Sequence, residues 1–218
     1  ARKVVLTTGG YNANPELLAR YIPDMAQAPN IGANTDRGDG IVWAQAAGAH
    51  CALMSGYQGR DCISADGTRV TPPVLNEGGI AVNKTGKRFV NENQDYSALA
   101  SVYRQQPGQV AFFIWDQRIQ TMVADVFVMQ QAMQRGGILR ADNVEQIATA
   151  YELPGSVLAK TLARYNEGVT SGVDEFGRTS LTVPLEPPFY TAQITGAIAH
   201  MQGGLVVDSA CRVLRADG

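Results

Sequence analysis

Two polar stretches near the start of the chain have residue types that could contact phosphate or hydroxyl groups. The apolar residues 3–6, predicted as a strand, lead into Thr7-Thr8-Gly9-Gly10. Glycines that follow a strand let the backbone approach a phosphate or a ring closely, although the spacing is not G-x-G-x-x-G. Asp39 lies near the start of a helix predicted over 41–47. A carboxylate there stabilises the helix end, and a ligand hydroxyl could use the same exposed amides.

A third stretch with candidate chemistry is 78–92, with the sequence GGIAVNKTGKRFVNE. The apolar residues 80–82 have the length of a short strand, and a turn follows that ends in Gly86. Residues 87–90 then alternate charged and apolar side chains, which predicts the return strand of a β-hairpin. The hairpin presents Arg88 and Glu92. Taken alone, the stretch is most simply interpreted as a surface hairpin with a solvated ion pair.

Composition sets the broad class of the protein. Its 218 residues are 45% hydrophobic and 17% charged, which is typical of a globular chain with a buried core. A net charge of −2 provides no positive field, so nucleic acid and acidic membranes are not expected partners. No apolar run approaches the roughly 20 residues that a membrane-spanning helix needs.

The three cysteines bear on redox environment and metal binding. Cys51, Cys62 and Cys211 are too few and too irregularly spaced for a disulfide framework or a metal site. No metal site is predicted. We expect all three to be small core residues in a reducing compartment, and a cytoplasmic location follows.

The order of the predicted elements indicates a mixed α/β protein with an α+β insert. Strands are predicted at 51–54, 110–115 and 189–194, with a second hairpin joining 205–208 to 212–214. Helices are predicted at 16–21, 96–103, 116–123, 125–134, 142–151 and 156–171. The composition becomes polar and proline-bearing near residue 57, and a loop precedes residue 189. An outer domain, 1–56 and 189–218, is therefore expected to be interrupted by an inner one, 57–188.

Six stretches occur in the order found in a known family: VVLTTGG, NTDRGDGIVWAQAAGA, GGIAVNKTGKRFVNE, YNEGVTSGVDEFGR, PFYTAQI and HMQGGLVVD. With them the chain, from end to end, resembles the fumarate reductase and succinate dehydrogenase flavoproteins, including ketosteroid and tricarballylate dehydrogenases. The resemblance implies a partial FAD-binding domain interrupted by a capping domain that closes over the substrate. Family members also carry a G-x-G-x-x-G unit at the start and a glycine-rich segment at the end. Because this sequence has neither, we expect an internal segment of a longer protein.

The resemblance also implies functional residues. FAD is the expected cofactor, with contacts from Thr8, Gly9, Gly10, Asp39, Gly203 and Gly204. His200 is the expected catalytic residue near substrate and flavin, the alternative being a hydrogen-bonded core histidine. Glu92 matches a glutamate that dicarboxylate reducers use in a proton path. Arg118 is the arginine nearest to the family's proton donor, whose position is occupied by Gln120 in this chain.

Three departures from the family pattern count against fumarate as the substrate. Gln120 replaces the proton-donating arginine, and no arginine follows Glu92 within 93–96. The family's substrate-binding histidine has no counterpart in 70–76. A branch that uses tyrosine as acid or base would tolerate these changes, and the sequence does not choose among its candidates, Tyr57, Tyr96 and Tyr103.

Three hypotheses for function follow. The first is an FAD-dependent oxidoreductase that transfers hydride between flavin and an activated carbon–carbon bond of a small organic acid or a ketosteroid-like substrate. Its electron partner is not predicted. The second is a non-catalytic segment with an incomplete FAD site, and the third is a small-molecule binding module with a vestigial flavin fold.

Overall fold

The computed structural model describes residues 3–64, 67–180 and 183–217. The chain divides into two compact units. We call Ala1–Arg60 with Ala197–Gly218 the outer unit, and Asp61–Gly196 the inner unit. The domain boundaries predicted after residues 56 and 188 lie near these divisions after residues 60 and 196.

The elements are a mixture of helix and strand, which confirms the α/β class. The strands are β1 (Cys51–Ala52), β2 (Tyr57–Ile63), β3 (Ile80–Val82), β4 (Ala111–Asp116), β5 (Leu139–Ala141), β6 (Phe189–Met201) and β7 (Gly204–Leu205). The α-helices are α1 (Pro15–Tyr21), α2 (Asp39–Ala46), α3 (Pro73–Asn76), α4 (Tyr96–Arg104), α5 (Gln117–Val123), α6 (Phe127–Gln134), α7 (Val144–Tyr151) and α8 (Gly155–Ser171). Short 3-10 helices lie at Pro23–Met25 and Pro107–Gln109.

The main sheet has the strand order β2-β6-β4-β3, and β5 also pairs with β6. β4 confirms the strand predicted at 110–115, one residue further along the chain, and all six of its residues are buried. β4 runs antiparallel to β6, with Ala111 opposite Ile194, and antiparallel to β3, with Ala81 opposite Phe113. β3 is therefore the last strand on its side of the sheet.

Helix capping and amphipathic spacing fix the helices of the inner unit. The side chain of Asp116 accepts the amide of Ile119 at 3.0 Å, so the polar residue that ends β4 also begins α5, as predicted. The predicted apolar stripe of α8 is buried at Leu158, Leu162 and Tyr165, and these residues belong to the hydrophobic core. Val157, predicted as part of the same stripe, is only partly buried.

The strand predicted at residues 3–6 is wrong. These residues form no strand, and Val4 and Val5 are 77% and 83% exposed. An extended apolar segment becomes a strand only when a neighbouring strand satisfies its amide and carbonyl groups. In the part of the chain that the structure describes, no strand lies beside residues 3–6.

The hairpin predicted at 78–92 is correct only in its first arm and its turn. β3 forms as expected, but its strand partner is β4, and the return arm makes a single bridge between Val82 and Arg88. The predicted solvated ion pair is wrong, because Arg88 and Glu92 are buried. The reason is tertiary: the segment that packs over these two charges comes from residues far along the chain.

The outer unit is built from short elements. Asn14 caps α1 by accepting the amides of Glu16 and Leu17, as the sequence predicted. β1 pairs antiparallel with β7, and the second hairpin forms with Val207 bridged to Val213. Cys51, Cys62 and Cys211 form no disulfide. Cys62 is buried, but Cys211 is exposed at the turn of this second hairpin, so the expectation of three core cysteines is wrong.

Candidate functional site

Four segments of the outer unit meet at the predicted cofactor residues: 8–10, 36–41, 53–56 and 201–204. The first two touch each other closely. A β-carbon on Gly9 would overlap the carboxylate of Asp36, and one on Gly40 would overlap the side chain of Thr8. Glycine at these positions therefore brings the 8–10 turn against the N-terminus of α2.

The other two segments close against the first pair. A β-carbon on Gly10 would lie 3.0 Å from Cβ of Met201, and one on Gly203 would overlap the backbone of Leu53. On Gly204 it would lie 3.9 Å from Cδ1 of Ile41, an ordinary contact distance. The fold itself therefore requires glycine at 203. At 204 a β-carbon would meet no clash, but the backbone φ of 159° is one that residues with a side chain rarely adopt.

A buried tyrosine stabilises this arrangement. The Tyr11 hydroxyl donates to the carbonyl oxygen of Met54, which links the segment after the glycine turn to 53–56. Burial and the nearby Tyr21 raise the pKa of Tyr11 to about 12. The phenol therefore stays protonated across the physiological range and serves as a donor.

His200 is exposed near the end of β6. Its Nδ1 lies 3.4 Å from the carbonyl oxygen of Met201, and Nε2 has no partner within the described residues. Because His200 is exposed, the alternative that it is a hydrogen-bonded core histidine is wrong. An exposed imidazole beside the 201–204 turn can bind an oxygen of a ligand.

Glu92 and Arg118, the other two predicted catalytic residues, lie in the inner unit. The Glu92 carboxylate is fully buried and accepts four hydrogen bonds. Its Oε1 accepts Ala81 N at 3.1 Å and Arg88 Nε at 2.9 Å, while Oε2 accepts Arg88 Nη2 at 2.7 Å and Arg178 Nη1 at 3.4 Å. A carboxylate has about four lone-pair sites, so Glu92 has no free acceptor for a further partner.

Two further residues complete this buried group, and no role was predicted for either of them. Asp174 accepts Arg88 Nη1 at 2.5 Å, and Arg178 donates to the carbonyl oxygen of Gly79 at 2.8 Å. We call Arg88, Glu92, Asp174 and Arg178 the buried charge cluster; their side chains are 0–2% exposed. In the sequence, Asp174 and Arg178 were marked only by the stretch VDEFGR, which lies in a loop with few apolar residues and belongs to one of the six family stretches.

Asp174 and Arg88 keep their charges because each lies against an opposite charge. Burial by itself would raise the pKa of Asp174, but the hydrogen bond and charge of Arg88 outweigh it and hold that pKa below its usual value. For Arg88, burial opposes the charged form, yet Glu92 and Asp174 together raise its pKa. Two arginines and two carboxylates give the cluster no net charge.

Arg118 and Gln120 lie on α5 with different surroundings. Arg118 is partly exposed, donates to the carbonyl oxygen of Glu77 at 3.0 Å, and has Asp116 at 3.7 Å. Gln120 is buried, and its Oε1 accepts the indole N–H of Trp115 at 2.9 Å. Gln120, which the resemblance predicts at the family's proton-donor position, is therefore part of the core in this chain.

Comparison with known proteins decides the family. The family described as FAD binding domain matches residues 1–218. The chain belongs to this FAD binding domain family. The predicted resemblance and the predicted cofactor, FAD, are thereby confirmed.

Relatives of this FAD binding domain include enzymes of two reaction types. The chain is 31% identical to a probable fumarate reductase, Ifc3, of Shewanella frigidimarina, over 98% of this chain and 36% of that protein. It is 29% identical to a 3-oxosteroid 1-dehydrogenase of Mycobacterium tuberculosis, over 100% of this chain and 45% of that protein. The chain thus spans less than half the length of these relatives.

A solved structure agrees with the sequence relatives. The open conformation of a flavocytochrome c3 fumarate reductase superimposes with a TM-score of 0.82 at 29% identity, covering 100% of this chain and 38% of that one. None of the helices in the described part of the chain is long and apolar enough to cross a bilayer. Within the same residues no cluster of histidine, cysteine and acidic side chains is placed to hold a metal.

The outer unit of the FAD binding domain has groups that suit the cofactor. Gly38 precedes α2 in a left-handed conformation (φ 81°), and no side chain caps the amides of the first turn. Thr8 and Asp39 are exposed beside them. Helix amides and a hydroxyl donate to phosphate or hydroxyl oxygens, and a carboxylate accepts from hydroxyl groups. FAD carries both kinds of group, so the residues fit it.

Proposed function

We propose that the protein containing this chain is an FAD-dependent oxidoreductase that acts on an activated carbon–carbon bond of a small organic acid or a ketosteroid-like substrate. The observation that carries the proposal is the position of His200. An exposed imidazole lies next to the 201–204 turn, in the unit that also holds Thr8, Asp39 and the free end of α2. Relatives named as fumarate reductase and 3-oxosteroid 1-dehydrogenase support this reaction class.

Within this proposal the chain's own residues have separate roles. When bound, FAD supplies the two-electron chemistry, and the protein supplies position and electrostatics. Thr8, Asp39 and the amides of α2 bind part of the cofactor. His200 donates a hydrogen bond from Nε2 to a carbonyl or carboxylate oxygen of the substrate, where negative charge develops.

The proton-handling group is proposed among the partly exposed candidates. Arg118 is one, and Tyr57 and Tyr96 are the others. Tyr103 is fully buried, with its ring packed edge-on against Phe89 and Phe113, so it cannot reach a substrate. Because Gln120 and Glu92 are both engaged in internal hydrogen bonds, a dicarboxylate such as fumarate is the less favoured substrate.

A second candidate is that this chain by itself binds no FAD and has no activity. The observation that favours it is coverage, since the chain spans 36% and 45% of two relatives. Absorbance of the purified chain with added FAD separates the two candidates. The proposal also includes a small-molecule substrate. It includes a cytoplasmic location, which the absence of a disulfide among Cys51, Cys62 and Cys211 supports.

The test of the catalytic assignment is His200→Ala in the FAD-loaded full-length protein. Loss of one hydrogen-bond donor to a developing oxyanion commonly costs roughly 3–4 kcal/mol, so turnover should fall by a factor on the order of a hundred or more. Steady-state turnover of ketosteroid and organic-acid substrates is measured, normalised to flavin content.

His50→Ala is the matched control, because His50 is also exposed and lies in the same unit. It should leave turnover unchanged. Near-normal turnover of His200→Ala at full flavin loading would mean that the catalytic assignment is wrong.

A further inference from the structure

The outer edge of β3 is paired with the return arm only at the bridge between Val82 and Arg88, and side chains meet the backbone groups that come before it. Along this edge the Gly78 carbonyl accepts Tyr165 Oη at 2.8 Å, and the Gly79 carbonyl accepts Arg178 Nη1 at 2.8 Å. The Ala81 amide donates to Glu92 Oε1 at 3.1 Å. The Gly79 carbonyl and the Ala81 amide flank Ile80 and face the same edge, so side chains satisfy two backbone groups that a longer return strand would otherwise pair.

The segment that supplies Arg178 is ordered by the same cluster. The Asp174 carboxylate accepts the amides of Phe176 and Arg178 at 3.0 and 3.2 Å, which folds the turn around Gly177. Arg88 binds the other side of that carboxylate, and its guanidinium lies 5.2 Å from the centre of the Phe176 ring. Arg88 thus fixes the turn that carries Arg178 to the strand.

We infer that the buried charge cluster acts as a strand substitute for β3, and that Glu92 is a structural acceptor within it that carries no proton in catalysis. A proton on Glu92 would displace at least one of its four donors and leave two guanidinium groups facing a neutral acid. The cluster is a positioning device: Glu92 and Arg178 hold the strand edge, while Arg88 and Asp174 hold Arg178.

Hydrogen exchange of the peptide spanning residues 78–84 tests whether the buried charge cluster holds the edge of β3. In Glu92→Gln, one side-chain oxygen is replaced by an amide that cannot accept from arginine, so exchange of this peptide should become at least about tenfold faster. Arg178→Met should have the same effect through the Gly79 carbonyl. Glu175→Gln is the control. Glu175 lies on the same segment as Asp174 and Arg178 but pairs with the exposed Arg164 of α8, so this variant should leave the exchange rate unchanged.

Turnover of the same FAD-loaded variants tests whether Glu92 carries a proton in catalysis, and this part of the inference rests on the proposed function. With Glu92 as a structural acceptor, Glu92→Gln at full flavin loading should keep turnover within about threefold of the parent, with an unchanged pH profile. A hundredfold loss of turnover in Glu92→Gln, with hydrogen exchange of the 78–84 peptide unchanged, would overturn the inference. Exchange at the parent rate in both Glu92→Gln and Arg178→Met would also overturn it. The exchange readout does not depend on activity, so an inactive parent protein would overturn only the proposed function.

Discussion

The polar residues of the sequence motifs are buried and paired in the inner unit but exposed in the outer unit. In the inner unit, Arg88, Glu92, Asp174 and Arg178 are buried and paired with one another or with the backbone. In the outer unit, Thr8, Asp39 and His200 are exposed. A polar group whose hydrogen bonds are all made inside the fold contributes to structure. A polar group left exposed at a fixed position is available to a ligand, and this contrast supports the proposal that Thr8, Asp39 and His200 bind ligands.

The largest effect is expected from a variant that breaks the buried charge cluster. Arg178→Met leaves Glu92 with one donor fewer and leaves the carbonyls of Gly79 and Leu75 without their side-chain donor. Removing one partner of a buried ion pair destabilises a protein by roughly 3–5 kcal/mol. Urea unfolding followed by circular dichroism measures the loss.

The matched control is Arg164→Met. Arg164 pairs with Glu175 at 2.8 Å, but its side chain is 70% exposed. Exposed pairs contribute about 0–1 kcal/mol, so this variant should unfold close to the parent. Equal losses in the two arginine variants would contradict the contrast between buried and exposed polar groups.

A smaller effect is expected from the glycine packing of the outer unit. Gly203→Ala forces a β-carbon into the backbone of Leu53, and overpacking of this kind costs about 1–3 kcal/mol. Thermal unfolding should show a lower midpoint. Gly155→Ala is the control, because its β-carbon would meet only Cβ of Ala148 at 3.5 Å. An unchanged midpoint for Gly203→Ala would show that the 201–204 turn is not held against 53–56.

The smallest expected difference is in the pH dependence of stability, which distinguishes the two units by their response to acid. Arg88 holds the pKa of Asp174 below its usual value, so Asp174 stabilises the fold above its unfolded-state pKa of about 4. That contribution is lost as pH falls from there through the folded-state pKa. Asp174→Asn removes it, so the variant should be less stable near neutrality and should lose less stability on acidification below about pH 5.

Asp208→Asn provides the comparison in the outer unit. The pKa of Asp208 is also lowered, by the amide and then the side chain of Arg212, but solvent screens this exposed pair. Its acid unfolding curve should follow that of the parent. A change as large as that of Asp174→Asn would contradict the assignment of structural charge to the inner unit alone.

Local sequence was sufficient for much of the fold. The caps Asn14 and Asp116, the apolar run of β4 and the stripe of α8 act over a few neighbouring residues. Each was predicted correctly except for Val157 of the stripe, which is only partly buried. Six motifs in register were also sufficient for the family, because order and spacing along a chain are properties of sequence.

Tertiary structure alone decided where the charges of the 78–92 stretch lie. Arg88 and Glu92 look like a surface pair until Asp174 and Arg178, more than eighty positions along the chain, pack over them. It also decided that Val4 and Val5 form no strand, since strand formation depends on a neighbour. Burial and pairing of polar groups are set by which distant segments meet, and local sequence does not encode those meetings directly.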